Sequence, residues 1–138
     1  MRTSKIFVTV DAVIFRKSTD YELLLIKRKN EPFKDCWALP GGFVDENEDL
    51  KVAAIRELDE ETQIKVTDLE QIGAFGTPFR DPRGHMISVA YFGTVPSDTV
   101  AIAADDAKEI GWFAVKDLPK LAFDHLDIVT LTLQKIKL

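Results

Sequence analysis

Three glutamates, Glu57, Glu60 and Glu61, stand in one run, RELDEET, from Arg56 to Thr62. On a helix of 3.6 residues per turn they share an arc of roughly 100°, next to an apolar stripe of Leu50, Ala54 and Leu58. Like charges three or four positions apart disfavour a helix by roughly 0.2–0.5 kcal/mol per pair, and Asp59 deepens the negative potential. A hard divalent cation reverses the sign of that cost. Mg²⁺ takes oxygen ligands and is commonly held by one or two carboxylates together with water and substrate phosphates. Taken alone, the run reads first as a solvated acidic face.

The residues upstream shift that balance. Gly41 and Gly42 can adopt left-handed backbone and let an amide or carbonyl approach an ion or phosphate closely, and Pro40 and Trp37 stiffen the approach. Trp37 reads as core packing ahead of substrate contact. Arg56 lies beside the carboxylates, where its planar fork could orient one of them by a bidentate bond; a surface ion pair is its plainer role.

The elements that must position these groups follow from periodicity. Ile6 to Phe15, Leu23 to Ile26, Ile87 to Phe92 and Gly111 to Val115 read as strands, with a hairpin around Asp20. Gly73 to Gly84, with its prolines and glycines, reads as a long loop or broken hairpin. Asp49 to Thr62 has helical period, as does a final segment in which Leu126, Val129, Leu133 and Ile136 share a face behind Asp124 as N-cap. Strands surrounding one internal and one terminal helix predict an α/β sandwich with a mixed β-sheet, as a single domain over 1–138.

Composition narrows the function classes. A net charge of −5 argues against nucleic acid as a partner, since duplex binding calls for a basic face. An anionic ligand must then meet positive charge from something besides side chains. No apolar stretch approaches the ~20 residues of a membrane span, and Met1 to Lys5 leads into a strand-like alternation, so no membrane association and a cytoplasmic location are expected. Cys36, the single cysteine, is expected to be a packing or loop residue rather than a nucleophile.

The segment LPGGFVDENEDLKVAAIRELDEETQI resembles the Nudix box, G-x5-E-x7-R-E-U-x-E-E-x-G-U with U aliphatic. Gly42, Glu48, Arg56, Glu57, Leu58, Glu60, Glu61 and Ile64 match in register, and only Gln63 departs, where the pattern has glycine. The resemblance implies a Nudix-type αβα sandwich and attack of water on a diphosphate linkage with Mg²⁺ or Mn²⁺ as cofactor. It makes Gly41, Glu57, Glu60 and Glu61 metal-site residues and has Arg56 orient Glu57. It also offers Glu60 as a proton acceptor and has Glu48 support the loop through Arg56. Glutamine resists the left-handed exit that glycine accepts, so altered local geometry is expected at Gln63.

Lys27 to Asp45 and Gly76 to Val95, above all RDPRG from Arg80 to Gly84, resemble the ADP-ribose pyrophosphatase branch. The expected partner is therefore a nucleoside diphosphate substrate, ADP-ribose, split to AMP and ribose 5-phosphate. The alternatives are a MutT-type nucleoside triphosphate pyrophosphatase and a non-catalytic ADP-ribose-binding sensor; sensors of this kind carry a DNA-binding domain, for which the chain leaves no room. Arg80 and Arg83 flank a Pro-fixed turn and could bind phosphate, or Asp81 could simply hold the turn. Phe33 and Phe79 are candidate stacking surfaces, and His85 is either a strand-entry residue or a ligand contact. His125 is expected on the surface of the terminal helix. Glu109 is the chosen proton acceptor in the acidic stretch Asp105, Asp106, Glu109. The resemblance is also compatible with a homodimer through the first strands or the terminal helix.

Overall fold

Almost every residue from Val10 to Phe15 is buried, a run too continuous for a strand with one wet face and typical of one covered on both sides. That strand, β1 (Ile6–Lys17), is the spine of the molecule, for which the computed structural model describes residues 4–137. It is followed by β2 (Tyr21–Arg28), β3 (Trp37–Ala38), β4 (Gly41–Phe43), α1 (Leu50–Thr62), β5 (Glu70–Phe75), β6 (His85–Val95), β7 (Ala107–Ala114) and α2 (His125–Ile136). The strands form one seven-stranded sheet with the path β3-β2-β1-β6-β5, while β4 pairs with β1 and β7 with β2. β1 and β6 run parallel and the remaining pairs antiparallel, so the sheet is mixed.

Side chains alternate across β1 and divide the core into two layers. Val10, Ala12 and Ile14 pack with Ala53, Ala54 and Leu58 of α1. Val13 and Phe15 pack on the opposite side with Ile128 and Val129 of α2. Helix, sheet and helix thus form the αβα sandwich that the periodicity and the box implied. Among the described residues no helix is long and apolar enough to cross a membrane.

Three local expectations change. The stretch expected to be loop from Gly73 contributes its first residues to β5, because Gly73 to Phe75 pair with Ser88 to Ala90 of β6. α2 buries His125, Ile128, Val129 and Thr132, while Leu126 is 55% exposed; the inward stripe is rotated from the expected one and takes His125 inside. Asp124 stands at the N-cap position but makes no capping bond.

Candidate active site

β1 pairs with β4 along Thr9 to Asp11 and with β2 only from Phe15 to Lys17. The two strands therefore splay apart, and the turn Leu39-Pro40-Gly41 enters the gap, fastened by the Ala12 amide donating to the Pro40 carbonyl at 2.8 Å. A cleft of ≈ 420 Å³ opens at this point, with Gly41, Gly42, Glu57 and Glu61 in its wall and Arg28, Arg80 and Arg83 lining it as well.

The acidic wall comes from α1. Asp49 caps the helix by accepting from the Val52 amide, and the burial of Ala54 and Leu58 turns Glu57 and Glu61 toward the cleft. Glu61 is 5% exposed and accepts the Gly41 N–H at 2.7 Å on Oε1. Desolvation pushes its carboxyl up to about 8, with Glu57, Asp106 and Asp11 adding to the rise and the Gly41 amide opposing it. Glu57 is also raised, by desolvation against the opposing pull of Arg56.

The two glycines are required for a reason other than the expected one. Neither has positive φ; among the described glycines only Gly84 does. Both lie in β4, and close approach is what excludes a side chain. A Cβ on Gly42 would stand 2.6 Å from the Glu57 carboxylate, and one on Gly41 would stand 2.1 Å from the Val10 carbonyl oxygen.

Arg56 organises the far side of these acids. Its Nε and Nη2 donate to both oxygens of Glu48 at 2.7 and 2.9 Å, Nη1 donates to Glu57 at 2.9 Å, and Nη2 also reaches the Phe43 carbonyl at 3.1 Å. The Arg56 contact holds Glu48 below the usual carboxylate range. Glu60 differs from its neighbours: it is bound to Arg56 at 3.1 Å, its side chain is 42% exposed, and it does not line the cleft. At the helix exit, Gln63 adopts φ 60°, ψ 15° and its amide donates to the Asp59 carbonyl at 2.8 Å. Glutamine thus closes the helix in the left-handed geometry expected of glycine, contrary to the expectation of an altered exit.

The basic residues divide by engagement. Arg80 has 5% side-chain exposure and grips Asp124 through Nε and Nη2, at 2.8 and 2.5 Å. Arg83 is bound to Asp81 through Nε and Nη2, and its guanidinium lies 5.1 Å from the Phe43 ring centre and 5.6 Å from that of Phe123. Arg28 was not singled out from the sequence. It donates Nε to the Pro32 carbonyl at 2.7 Å and sits 5.0 Å from the same Phe123 ring. Burial lowers its pKa, and nearby Arg83 lowers it further: two guanidiniums stand close together at the cleft.

Other candidates fall outside. Glu109 lies on β7, 55% exposed and paired with Lys27 at 3.1 Å, and does not line the cleft, because the register that sets it opposite Lys27 gives its charge to that lysine. Asp106 from the same acidic stretch lines the cleft instead. Phe33 packs on Phe123 with ring centres 4.7 Å apart, and it is Phe123 that lines the cleft. Phe79 is 96% exposed, and His85 opens β6 with Nε2 3.3 Å from the Gly76 carbonyl. Trp37 packs edge-on to Phe113, and Cys36 packs against the cluster of Ile26, Ala38, Ala107 and Ala122.

His125 corrects the surface assignment outright. It is buried, its Nδ1 accepts the Leu39 N–H at 3.0 Å, and its Nε2 lies 3.5 Å from Asp11. The sequence held a signal for both residues. His125, Ile128, Val129 and Thr132 have helical spacing, and Asp11 interrupts the apolar run VTVDAVIF.

Comparison with known proteins decides the family, because the model of the NUDIX domain matches residues 5–132. The chain belongs to the Nudix family. It is 47% identical over 122 residues to an ADP-ribose pyrophosphatase of Methanocaldococcus jannaschii, covering 88% of this chain and 70% of that protein. It is 38% identical over 127 residues to the ADPR responsive transcriptional repressor NtrR of Acinetobacter baylyi; the match covers 88% of this chain but only 51% of the repressor. Among solved structures, the NUDIX domain of Shewanella oneidensis NrtR complexed with ADP ribose superposes with a TM-score of 0.86 at 32% identity, covering 96% of this chain and 90% of that one. Hydrolase chemistry on a nucleotide-derived substrate is the class to which this Nudix domain belongs.

The donor set of the Nudix box suits a hard cation. Among the described residues, no group of three or more His, Cys, Asp or Glu side chains forms a ready-made cage. Glu57 and Glu61 nevertheless present two desolvated carboxylates with raised pKa to one cleft. One or two carboxylates, completed by water and substrate phosphate oxygens, are a usual Mg²⁺ donor set.

Proposed function

We propose that this chain hydrolyses ADP-ribose to AMP and ribose 5-phosphate with Mg²⁺ or Mn²⁺. The observation that carries the reading is a cleft with opposed charge: Glu57 and Glu61 in its wall, with Arg28 and Arg83 facing the same space. A diphosphate fits both halves, with some of its oxygens sharing a cation with the carboxylates and others meeting guanidinium N–H groups. The likeness to an ADP-ribose pyrophosphatase and to a domain bound to ADP ribose supports this choice of diphosphate.

Glu57 and Glu61 would hold the cation, which when bound polarises phosphoryl oxygens and acidifies water. The remaining work falls to the protein. Arg56 orients Glu57 and favours its charged form, and the Gly41 amide does the same for Glu61, each against the larger effect of desolvation. Asp106 takes the place first given to Glu109 as the acid outside α1 that receives the proton from water, since it lines the cleft. Glu60 would contribute to a second ion only by leaving Arg56. Arg83 binds phosphate together with Arg28, and Phe123 supports both guanidiniums. Arg80, with two nitrogens on Asp124, holds the cleft wall to α2.

Chromatography of products from ADP-ribose and Mg²⁺ tests the reading. AMP and ribose 5-phosphate should form, and chelation, Glu57→Gln or Glu61→Gln should each remove most turnover while leaving the fold intact. Pyrophosphate released from nucleoside triphosphates, with ADP-ribose untouched, would move the chain to the MutT type. Tight binding of ADP-ribose without turnover would make it a sensor, the reading that the repressor relatives favour.

A further inference from the structure

A buried polar chain in the wall of the cleft, which Arg80, His125, Asp11 and Leu39 all line, connects the start of α2 to the glycine turn. Arg80 fastens Asp124, the residue before His125. The His125 ring, tilted 36° against Phe123 with ring centres 5.2 Å apart, accepts the Leu39 N–H on Nδ1 at 3.0 Å and directs Nε2 at Asp11, 3.5 Å away. Asp11 is held on its other oxygen by Ser88 Oγ. Two residues after Leu39, the Gly41 amide donates to Glu61 at 2.7 Å. Because a backbone N–H points at Nδ1, that nitrogen is unprotonated, and the ring is the neutral tautomer with its proton on Nε2, toward the Asp11 carboxylate. Neither His125 nor Asp11 has a part in the hydrolysis described above. A buried imidazole spending its one acceptor on the backbone of the glycine turn is a device for holding that turn in register.

We propose that His125 is a positioning residue: by accepting the Leu39 amide, it sets the Leu39-Pro40-Gly41 turn so that the Gly41 N–H meets Glu61 in its working orientation. The inference rests on the reading of Glu61 as part of the working site. The turn is also held where Ala38 pairs with Ile26 of β2, where Gly41 pairs with Asp11 of β1 and where the Pro40 carbonyl accepts the Ala12 amide; the His125 bond adds the tie between the Leu39 amide and α2. A small displacement would separate the amide from the carboxylate, and misplacement by about 1 Å is enough to lower turnover by about 100-fold.

Three variants separate this role from mere packing. His125→Asn keeps an acceptor oxygen at the position of Nδ1, His125→Gln keeps a donor near Nε2 but loses that acceptor, and His125→Phe keeps a ring and loses both. Amide hydrogen exchange, in the absence of metal and substrate, should show Leu39 and Gly41 exchanging about 10-fold faster in the Phe and Gln variants, with core amides of α2 unchanged. The Asn variant should match the wild type. On ADP-ribose, kcat should fall about 10- to 100-fold in Phe and Gln with KM within about 3-fold, and Asn should restore it. Unchanged exchange at Leu39 and Gly41 in Gln and Phe overturns the proposal, as does faster exchange with kcat unaltered. If Phe does not fold, the contrast between Asn and Gln decides alone. Wild-type protein that fails to turn over ADP-ribose would sink the substrate assignment, and exchange at Leu39 and Gly41 would still decide the positioning role.

Discussion

At the residue scale, Glu61 is a carboxylate kept at a disadvantage. With its folded pKa raised from 4.5 to about 8, Glu61 makes its full contribution to the stability of the metal-free protein below about pH 4.5, and that contribution is lost progressively as pH rises toward 8, because the unfolded chain ionises first. Glu61→Gln removes that titration while leaving an oxygen to accept the Gly41 amide. Thermal melts in chelator should therefore show the variant more stable than wild type at pH 8 by on the order of 1–3 kcal/mol, with the two converging near pH 4.5. Equal melting temperatures across the range would remove the conclusion that Glu61 carries charge repulsion and desolvation in the metal-free cleft. The cation proposed for the cleft would relieve that strain on binding.

At the scale of elements, α1 shows how local geometry can be imposed on a residue that does not favour it. Gln63 closes the helix with φ 60°, a conformation that costs an L-residue with a side chain roughly 1–2 kcal/mol. It holds because the next residues are fastened: Ile64 is buried, and its amide donates to Thr62 Oγ1 at 3.2 Å. Gln63→Gly relieves the strain but raises the entropy of the unfolded chain, leaving a net gain of about 0.5–1 kcal/mol. For a chain of this size the melting temperature should rise by a few degrees, with turnover unchanged. A lower melting temperature would mean that the glutamine side chain itself supports the exit.

At the scale of the whole molecule, the N-terminus of α2 is built into the cleft wall through His125. Its pKa is lowered, chiefly by desolvation, with Arg80 and Arg28 acting in the same direction and Asp11 and Asp124 against it. A histidine depressed in the folded state contributes stability above its unfolded pKa, and that contribution is lost as pH falls below about 6.5. Denaturant unfolding between pH 7.5 and 5.5 should show wild-type stability falling relative to that of His125→Asn on the acid side, a difference from which the Glu61 contribution, common to both proteins, cancels. Parallel curves would show that His125 does not titrate on unfolding.

How much was legible before folding follows from the range over which each feature acts. The box carboxylates, Arg56 with Glu48, the acidic helix and the strands around it belong to short-range pattern, since helical and strand periods and ligand spacing are written in neighbouring residues. The sandwich and the family could be read from them. What the tertiary structure decided is which of these groups meet. Glu60 stands one position from Glu61, yet Arg56 draws it away from the cleft. Register on β2 gives Glu109 to Lys27, and Asp106 lines the cleft in its stead. Arg28, Asp11 and His125, spread over most of the chain, come together only because β1 and β2 splay around the glycine turn and α2 packs beneath it. Sequence spacing carries one-dimensional period, whereas burial and partner choice are properties of surfaces that exist only once the sheet has formed. For that reason the acidic helix was readable in advance, whereas the helical spacing that marks His125 for burial did not show what the imidazole would meet.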